Sequence, residues 1–284
     1  MVDLCPDFYS ALLALLDQIP DDMVTVPVLL ASAMGDPVAE SAVKEALKRE
    51  MFHSYRERVV PKPDSSDSHI FSGFRGKRLL EEMAGDQEER GKRVVITSLL
   101  ERDGLIAGVD ASYKGDTAYA ACVVMNRDLE IVDSASTTIE ARFPYIPGYL
   151  SFREAPGLLS AVSKVSGFDV LMVNGHGIAH PRRCGLASSV GLEVDKPTIG
   201  VARRPLVGEV GKIRGVLTPL IFDGLAVGAE VKRSEGPPIY VSVGHRIDLE
   251  IAGRITRETW RRGRLPEPLR SAHYEAQTAK RRDS

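Results

Sequence analysis

Asp110, Glu154 and Asn174 are the residues whose types and settings first suggest chemistry. Asp110 ends the apolar run Leu105-Ile-Ala-Gly-Val-Asp110, and Asn174 ends Val170-Leu-Met-Val-Asn174. Glu154 stands in Ser151-Phe-Arg-Glu-Ala-Pro156, at the head of an expected helix. Open α/β sheets place their reacting groups at the carboxyl ends of such buried strands. Carboxylates gathered there suit a pair of hard divalent cations about 4 Å apart, which activate water and neutralise charge during phosphodiester hydrolysis. Mg²⁺ takes one or two carboxylates and lets substrate phosphate complete its shell. Asp110 is the expected bridging ligand and Glu154 a further ligand. Alone, Asp110 would read as a turn aspartate capping a strand end.

Between these residues lies Arg142-Phe-Pro-Tyr-Ile-Pro-Gly148. Pro144 and Pro147 fix the backbone on each side of Tyr145-Ile146. An aromatic and an aliphatic side chain are therefore expected together on a rigid tip. Apolar wedges of this kind unstack bases at a cost of a few kcal/mol. The plain alternative is a Pro-Gly loop whose aromatic packs on the core.

The elements that must position these groups can be read from periodicity. After an expected helix over Gln87–Asp103, strands are expected over Leu105–Asp110, Thr117–Met125 and Leu129–Thr138. A helix over Pro156–Val165, the strand Val170–Val173 and a strand over Thr198–Ala202 follow. Three antiparallel strands, then strands alternating with helices, is the α/β order of a ribonuclease H-like mixed sheet with helices on both faces. In that order the first and fourth strands lie side by side and parallel, so Asp110 and Asn174 meet at one end.

Residues 1–84 read differently, as short helices (Phe8 to Leu16, then Val24–Ala31, then Asp36 to Met51) before a Pro/Ser-rich loop over Pro61–His69. A small, mainly helical, winged helix-turn-helix-like domain is expected there, with a nuclease-like domain over residues 86–284. Composition excludes little: 284 residues, 27% charged, a formal charge of −2. The charge is uneven, since Arg254–Ser284 holds nine Lys/Arg against four Asp/Glu. Along Ile247–Trp260 the arginines lie mostly away from an apolar face, a solvated surface or a phosphate track. Cys5, Cys122 and Cys184 share no metal-ligand spacing and suggest a reducing cytoplasm. There is no apolar run of roughly 18 residues and no signal pattern, so a soluble monomer with no membrane partner is expected.

Gly108-Val-Asp-Ala-Ser-Tyr113, Pro144-Tyr-Ile-Pro-Gly148, Gly175-His-Gly-Ile-Ala-His-Pro-Arg182, Lys196-Pro-Thr-Ile-Gly-Val-Ala202 and Leu265-Pro-Glu-Pro-Leu-Arg270 occur in order. In these motifs the chain from about residue 86 onward resembles endonuclease V. The resemblance implies a nuclease that recognises deaminated purines, chiefly inosine, in DNA or RNA. It would cut one nucleotide beyond the lesion on the 3′ side, using Mg²⁺ or Mn²⁺. It further implies Asp110 and Glu154 as metal ligands, and Tyr145 with Pro144, Ile146 and Pro147 as the strand-separating wedge. His180 would lie by the scissile phosphate. His245 would stand near the metals, or else make ordinary strand-end hydrogen bonds. The backbone at Gly148 and Gly175 to Gly177 would shape a pocket for a flipped base.

The chain departs from that pattern at three places. Asn174 replaces a metal-binding aspartate and keeps an oxygen while losing its charge; a rate loss of about 10²-fold is the expected scale. Arg203 stands where a lysine is common, as a bidentate phosphate contact, and Ser189 where a histidine is common. A second reading is therefore a catalytically impaired lesion-binding protein. Asn174-Gly175 is also a pair prone to deamidation, which would restore an aspartate. His53, His69 and His273 are expected at the surface, and Cys184 as a packing residue.

Residues 1–84 resemble, more loosely, the DNA-binding domain of alkylguanine-DNA alkyltransferases and their cysteine-lacking relatives. Phe8-Tyr9, Val24-Thr25-Val26, Ala46-Leu47 and Arg58-Val59-Val60 carry it. Arg56 occupies the place of the acceptor cysteine, so alkyl transfer is not expected. Pro27 and Ser41 replace a tyrosine and an arginine. A helical accessory domain that stabilises or dimerises the protein is the other reading.

Overall fold

Apolar residues at helical spacing fold the N-terminal stretch into α1 (Phe8–Leu16), α2 (Pro27–Ala33) and α3 (Glu40–Ala46), followed by a 3-10 turn over Glu50–Arg58. Asp7 caps α1 by accepting from the Ser10 N–H at 3.0 Å, and the Ser10 hydroxyl, then that N–H, hold its carboxyl below the usual range. Pro27 opens α2, where its missing N–H costs nothing. Two parallel bridges, Val24 to Ile70 and Thr25 to Val59, tie the segment together. The computed structural model describes residues 7–61, 69–98, 104–212, 217–233 and 236–283. Cys5 and most of the expected Pro61–His69 loop lie outside them.

The chain divides into two units: Met1–Asp86 with Arg142–Arg153, and Gln87–Ala141 with Glu154–Ser284. The expected single cut near residue 85 misses the return of residues 142–153 to the first unit. α4 (Leu79–Lys92) contains the first boundary. The helix expected over Gln87–Asp103 thus starts earlier and stops at Lys92; residues 99–103 lie outside the described ones.

In the second unit, β1 (Ile106–Lys114), β2 (Thr117–Met125) and β3 (Ile131–Glu140) form the antiparallel meander. α5 (Leu150–Val162) begins in the first unit and ends in this one; β4 (Val170–Asn174), α6 (Leu186–Val194) and β5 (Thr198–Ala202) follow. Beyond these, β6 (Glu209–Val210), β7 (Leu217–Phe222), β8 (Leu225–Val231) and β9 (Ile239–His245) extend the sheet. α7 (Leu249–Thr259) and α8 (Glu267–Arg282) close the chain. The strand order is β3-β2-β1-β4-β5-β9-β8-β7-β6, with β1, β4 and β5 mutually parallel. This is the ribonuclease H-like order with an antiparallel extension that the sequence reading did not resolve.

Side chains alternate along a strand, so Gly108 and Asp110 share one face while Ala111 faces the other. A Cβ on Gly108 would sit 2.2 Å from the Pro268 carbonyl carbon, which puts α8 on the first face. α7 lies there too, with Thr259 Oγ1 donating to the Met172 sulfur at 3.8 Å. Gly157 of α5 lies against Ala120, the cross-strand partner of Ala111, so α5 covers the second face. α6 joins it, since a Cβ on Gly191 would meet the Thr198 Cβ at 3.0 Å. Helices therefore cover both faces. Among the described residues, no helix is long and apolar enough to cross a membrane.

Candidate active site

The parallel register of β1 and β4 runs from Ile106↔Val170 to Val109↔Val173. One step further brings Asp110 beside Asn174, and the side chains bond: Asn174 Nδ2 donates to Asp110 Oδ1 at 3.0 Å. Asp110 is 5% exposed, and a buried carboxylate needs partners. Its second oxygen, Oδ2, lies 2.7 Å from Nδ1 of His273. That bond to Asp110 raises the His273 imidazole above its ordinary range, against burial and the nearby charge of Arg203. The site thus places a carboxylate, an amide and a basic imidazole in direct contact at one strand end.

His273 was expected at the surface, and its side chain is 41% exposed; what was not expected is its bond to Asp110. Its position follows from Gly108. The missing Cβ lets the first turn of α8, at Pro268-Leu269, lie directly on β1. Four residues along the helix, Leu269 to His273, rise about 6 Å. Two along the strand, Gly108 to Asp110, rise about 6.6 Å. The two advances match, so the histidine arrives opposite the aspartate. The Gly-x-Asp spacing, combined with a histidine on the last amphipathic helix, was the available signal.

Arg203 follows the carboxyl end of β5 and is exposed, at the same end of the sheet as Asp110 and Asn174. Its charge is near enough to lower the His273 pKa slightly, against the stronger pull of Asp110. Glu154 is half-buried on α5, one turn before Gly157 and on the helix of the opposite face. Among the described residues, no three His, Cys, Asp or Glu side chains gather closely enough to hold a metal ion. Asp110, Glu154 and His273 thus do not form a ready-made cage.

His245 is a correction. β9 runs antiparallel to β5, pairing His245 with Thr198, and Thr198 pairs with Leu171. The histidine therefore lies at the end of the sheet opposite Asn174. There its Nε2 lies 3.2 Å from an Asp195 oxygen, and its Nδ1 accepts from the Val95 N–H at 3.3 Å. Burial lowers its pKa. This is the strand-end hydrogen bonding foreseen as its other role.

After Asn174 the chain crosses β5 and β9. Gly175 N–H donates to Val201 O at 2.9 Å, and Gly177 N–H to Ser242 Oγ at 2.8 Å. A Cβ on Gly177 would fall 1.9 Å from Val243 O. Gly177 thus serves close backbone approach and Gly175 makes room for the Leu186 side chain, and the N–H groups of both are already bonded. His180 is buried in the same loop, its Nδ1 accepting from the Arg182 N–H at 3.2 Å. Burial pushes the pKa of His176 down to about 4, so it is neutral at physiological pH. Cys184 is buried and meets Ser189 Oγ at 3.5 Å, which makes both packing residues.

The Pro144-Gly148 loop belongs to the first unit. Ile146-Pro147-Gly148-Tyr149 closes a turn, with the Tyr149 N–H donating to Ile146 O at 3.0 Å and Gly148 at φ +80°. Proline then glycine at the centre is the type II pattern. Ile146 is 0% exposed, contrary to the expected paired tip, whereas Tyr145 is 63% exposed. Of that pair only the tyrosine is presented, with Pro147 exposed beside it.

The donor set fits a divalent cation in part from the protein and in part from substrate. Asp110 offers hard anionic oxygens, and Asn174 a neutral amide oxygen of the kind Mg²⁺ and Ca²⁺ accept. The direct Asn174–Asp110 bond also shows that one negative charge, where the pattern has two, stands at this strand end.

A sequence model of the endonuclease V family matches residues 88–274. The endonuclease V of Thermofilum pendens is 43% identical over 213 residues, covering 72% of this chain and 92% of that protein. Among solved structures, the endonuclease V of Streptomyces avermitilis superposes with a TM-score of 0.66 at 35% identity, covering 75% of this chain and 97% of the other. That of Ciona intestinalis, solved with a 24mer DNA containing an inosine followed by a ribo-adenosine, shares the fold with a TM-score of 0.64 at 24% identity, covering 72% and 99%. The Asp110 strand end, the sheet that builds it and these matches agree: the chain belongs to the endonuclease V family.

Proposed function

We propose that this protein nicks a nucleic-acid strand near a deaminated purine, chiefly inosine, one nucleotide beyond the lesion on the 3′ side. The observation that carries the proposal is the juxtaposition of Asp110, Asn174 and His273 at the β1–β4 strand end, in a chain of this family. The DNA-bound Ciona intestinalis relative supports inosine in DNA as the substrate. The buried thiols of Cys122 and Cys184 support a reducing compartment, the cytoplasm.

Asp110 and Glu154, with the amide oxygen of Asn174, would hold Mg²⁺ or Mn²⁺, which when bound supplies Lewis-acid activation of the phosphodiester and an acidified water. Arg203, exposed just beyond β5, would bind the phosphate, where a guanidinium can contact two oxygens. His273 orients the Asp110 carboxylate and, as a raised-pKa imidazole, offers a proton at Nδ1. Tyr145, exposed on its turn, inserts beside the lesion and unstacks it. Residues 1–84 are an alkyltransferase-like module without an acceptor thiol. Arg56, in the cysteine's place, donates to the carbonyls of Leu47 and Lys48 at the end of α3.

The test is a nicking assay on a labelled inosine-containing oligonucleotide with Mg²⁺ and, separately, Mn²⁺. A product ending one nucleotide 3′ of inosine is expected. Retained lesion binding with no product in either metal overturns the nuclease reading in favour of lesion binding alone. Family membership favours the nuclease.

A further inference from the structure

The loop that presents Tyr145 is not anchored by sequence-adjacent residues alone. Phe143, Ile146, Tyr149 and Phe152 are all buried in the hydrophobic core of the first unit, with Phe8, Leu12, Leu30 and Leu80. Phe143 meets Phe8 edge-to-face, with ring centroids 5.8 Å apart. Tyr149 Oη donates to Asp36 Oδ2 at 2.8 Å and lies 3.2 Å from the Leu80 carbonyl. The other oxygen of Asp36 accepts from the Val38 N–H at 3.0 Å. One carboxylate thus fixes the start of the short turn before α3 and the residue that closes the tyrosine's turn. Two consecutive side chains, Tyr145 out and Ile146 in, are held in opposite senses by this arrangement.

We infer that the N-terminal unit is the mount of the strand-separating tyrosine, with Asp36 and Tyr149 as positioning residues. This rests on the wedge reading of Tyr145. The physical case is one of preorganisation. An aromatic inserted between bases recovers the unstacking cost only if its own loop is already ordered; otherwise the ordering entropy of the loop is added to that cost. The buried Ile146 and the Tyr149–Asp36 bond order it before DNA arrives. The mount is needed where bases are stacked, in duplex, and much less where they are not, in a single strand.

The experiment compares the full-length protein with Tyr149→Phe, Asp36→Asn and Tyr145→Ala on inosine-containing duplex and single strands. Two signals are read: single-turnover nicking, and fluorescence of 2-aminopurine placed next to the inosine, which reports unstacking without requiring cleavage. Tyr149→Phe is expected to lower duplex unstacking and duplex nicking about tenfold, the scale of one lost charge-assisted hydrogen bond. Single-strand nicking should change less than about twofold, and thermal melting should show the variant folded. Asp36→Asn keeps the acceptor shape and should give the same pattern more weakly. If Tyr145→Ala is selectively defective on duplex while both positioning variants match the parent, the mount is overturned and the wedge stands. Where Tyr145→Ala is itself unaffected on duplex, the wedge reading fails and the mount with it. Equal losses on duplex and single strand in Tyr149→Phe would also overturn it, since that is the mark of a merely structural role.

Discussion

At the scale of the residue, Asn174 sets the character of the site. Its amide donates to Asp110, a bond that an aspartate could not make, and so stabilises a lone buried carboxylate in the absence of a cation. Asn174→Asp replaces that bond with two adjacent like charges. In EDTA the variant should melt lower, by about 1–3 kcal/mol in stability, the cost of a lost bond to a charged group. Added Mg²⁺ should restore melting in the variant more than in the parent, because the second carboxylate gives the cation an anionic oxygen. Single-turnover nicking should rise about tenfold or more. A variant with unchanged nicking and no Mg²⁺-dependent melting would show that position 174 does not contribute to cation binding.

At the scale of the element, α8 is the carrier. It brings His273 to Asp110 only because β1 has no side chain at Gly108. The contact there is with backbone atoms of Pro268 and Leu269, at 2.2 to 2.6 Å from a built Cβ, so no side chain can swing aside. Gly108→Ala should therefore destabilise the protein by about 3 kcal/mol, the upper part of the range for overpacking. It should also shift α8 enough to lengthen the His273–Asp110 bond. Chemical denaturation measures the first effect. Nicking at a temperature where the variant remains folded measures the second, and is expected to fall as well. A stable variant with normal nicking would mean that α8 tolerates the shift.

At the scale of the whole molecule, the chain divides into two units. The first unit includes residues 142–153 and buries four of their aromatic and aliphatic side chains. A chain lacking residues 1–86 would leave Phe143, Ile146, Tyr149 and Phe152 without most of their cover. It should bind a hydrophobic dye strongly and aggregate, since exposed contiguous apolar patches of this kind mark association. A monodisperse truncated protein with no dye binding would show that those side chains find another place to bury.

The strand order up to β5, the meeting of Asp110 with Asn174 and the family were all legible in the amino-acid sequence. Each rests on local pattern: apolar runs of fixed period, and short motifs whose residues are close along the chain. Of the antiparallel extension only the late strand ending at His245 was foreseen; β6 to β8 were missed, because they carry no motif. The contact of His273 went unforeseen for a different reason. Its partner lies 163 positions away, and the contact exists only through the absence of a side chain at Gly108. His245 was assigned to the wrong end of the sheet because a strand's direction depends on its neighbour, and β9 runs against β5. Ile146 was placed on an exposed tip because two prolines predict stiffness without saying which side faces a core. The sequence alone thus determined that Asp110 and Asn174 stand at the ends of neighbouring parallel strands. Tertiary structure decided which distant side chains join them, since close packing between remote elements has no period that can be read along a chain.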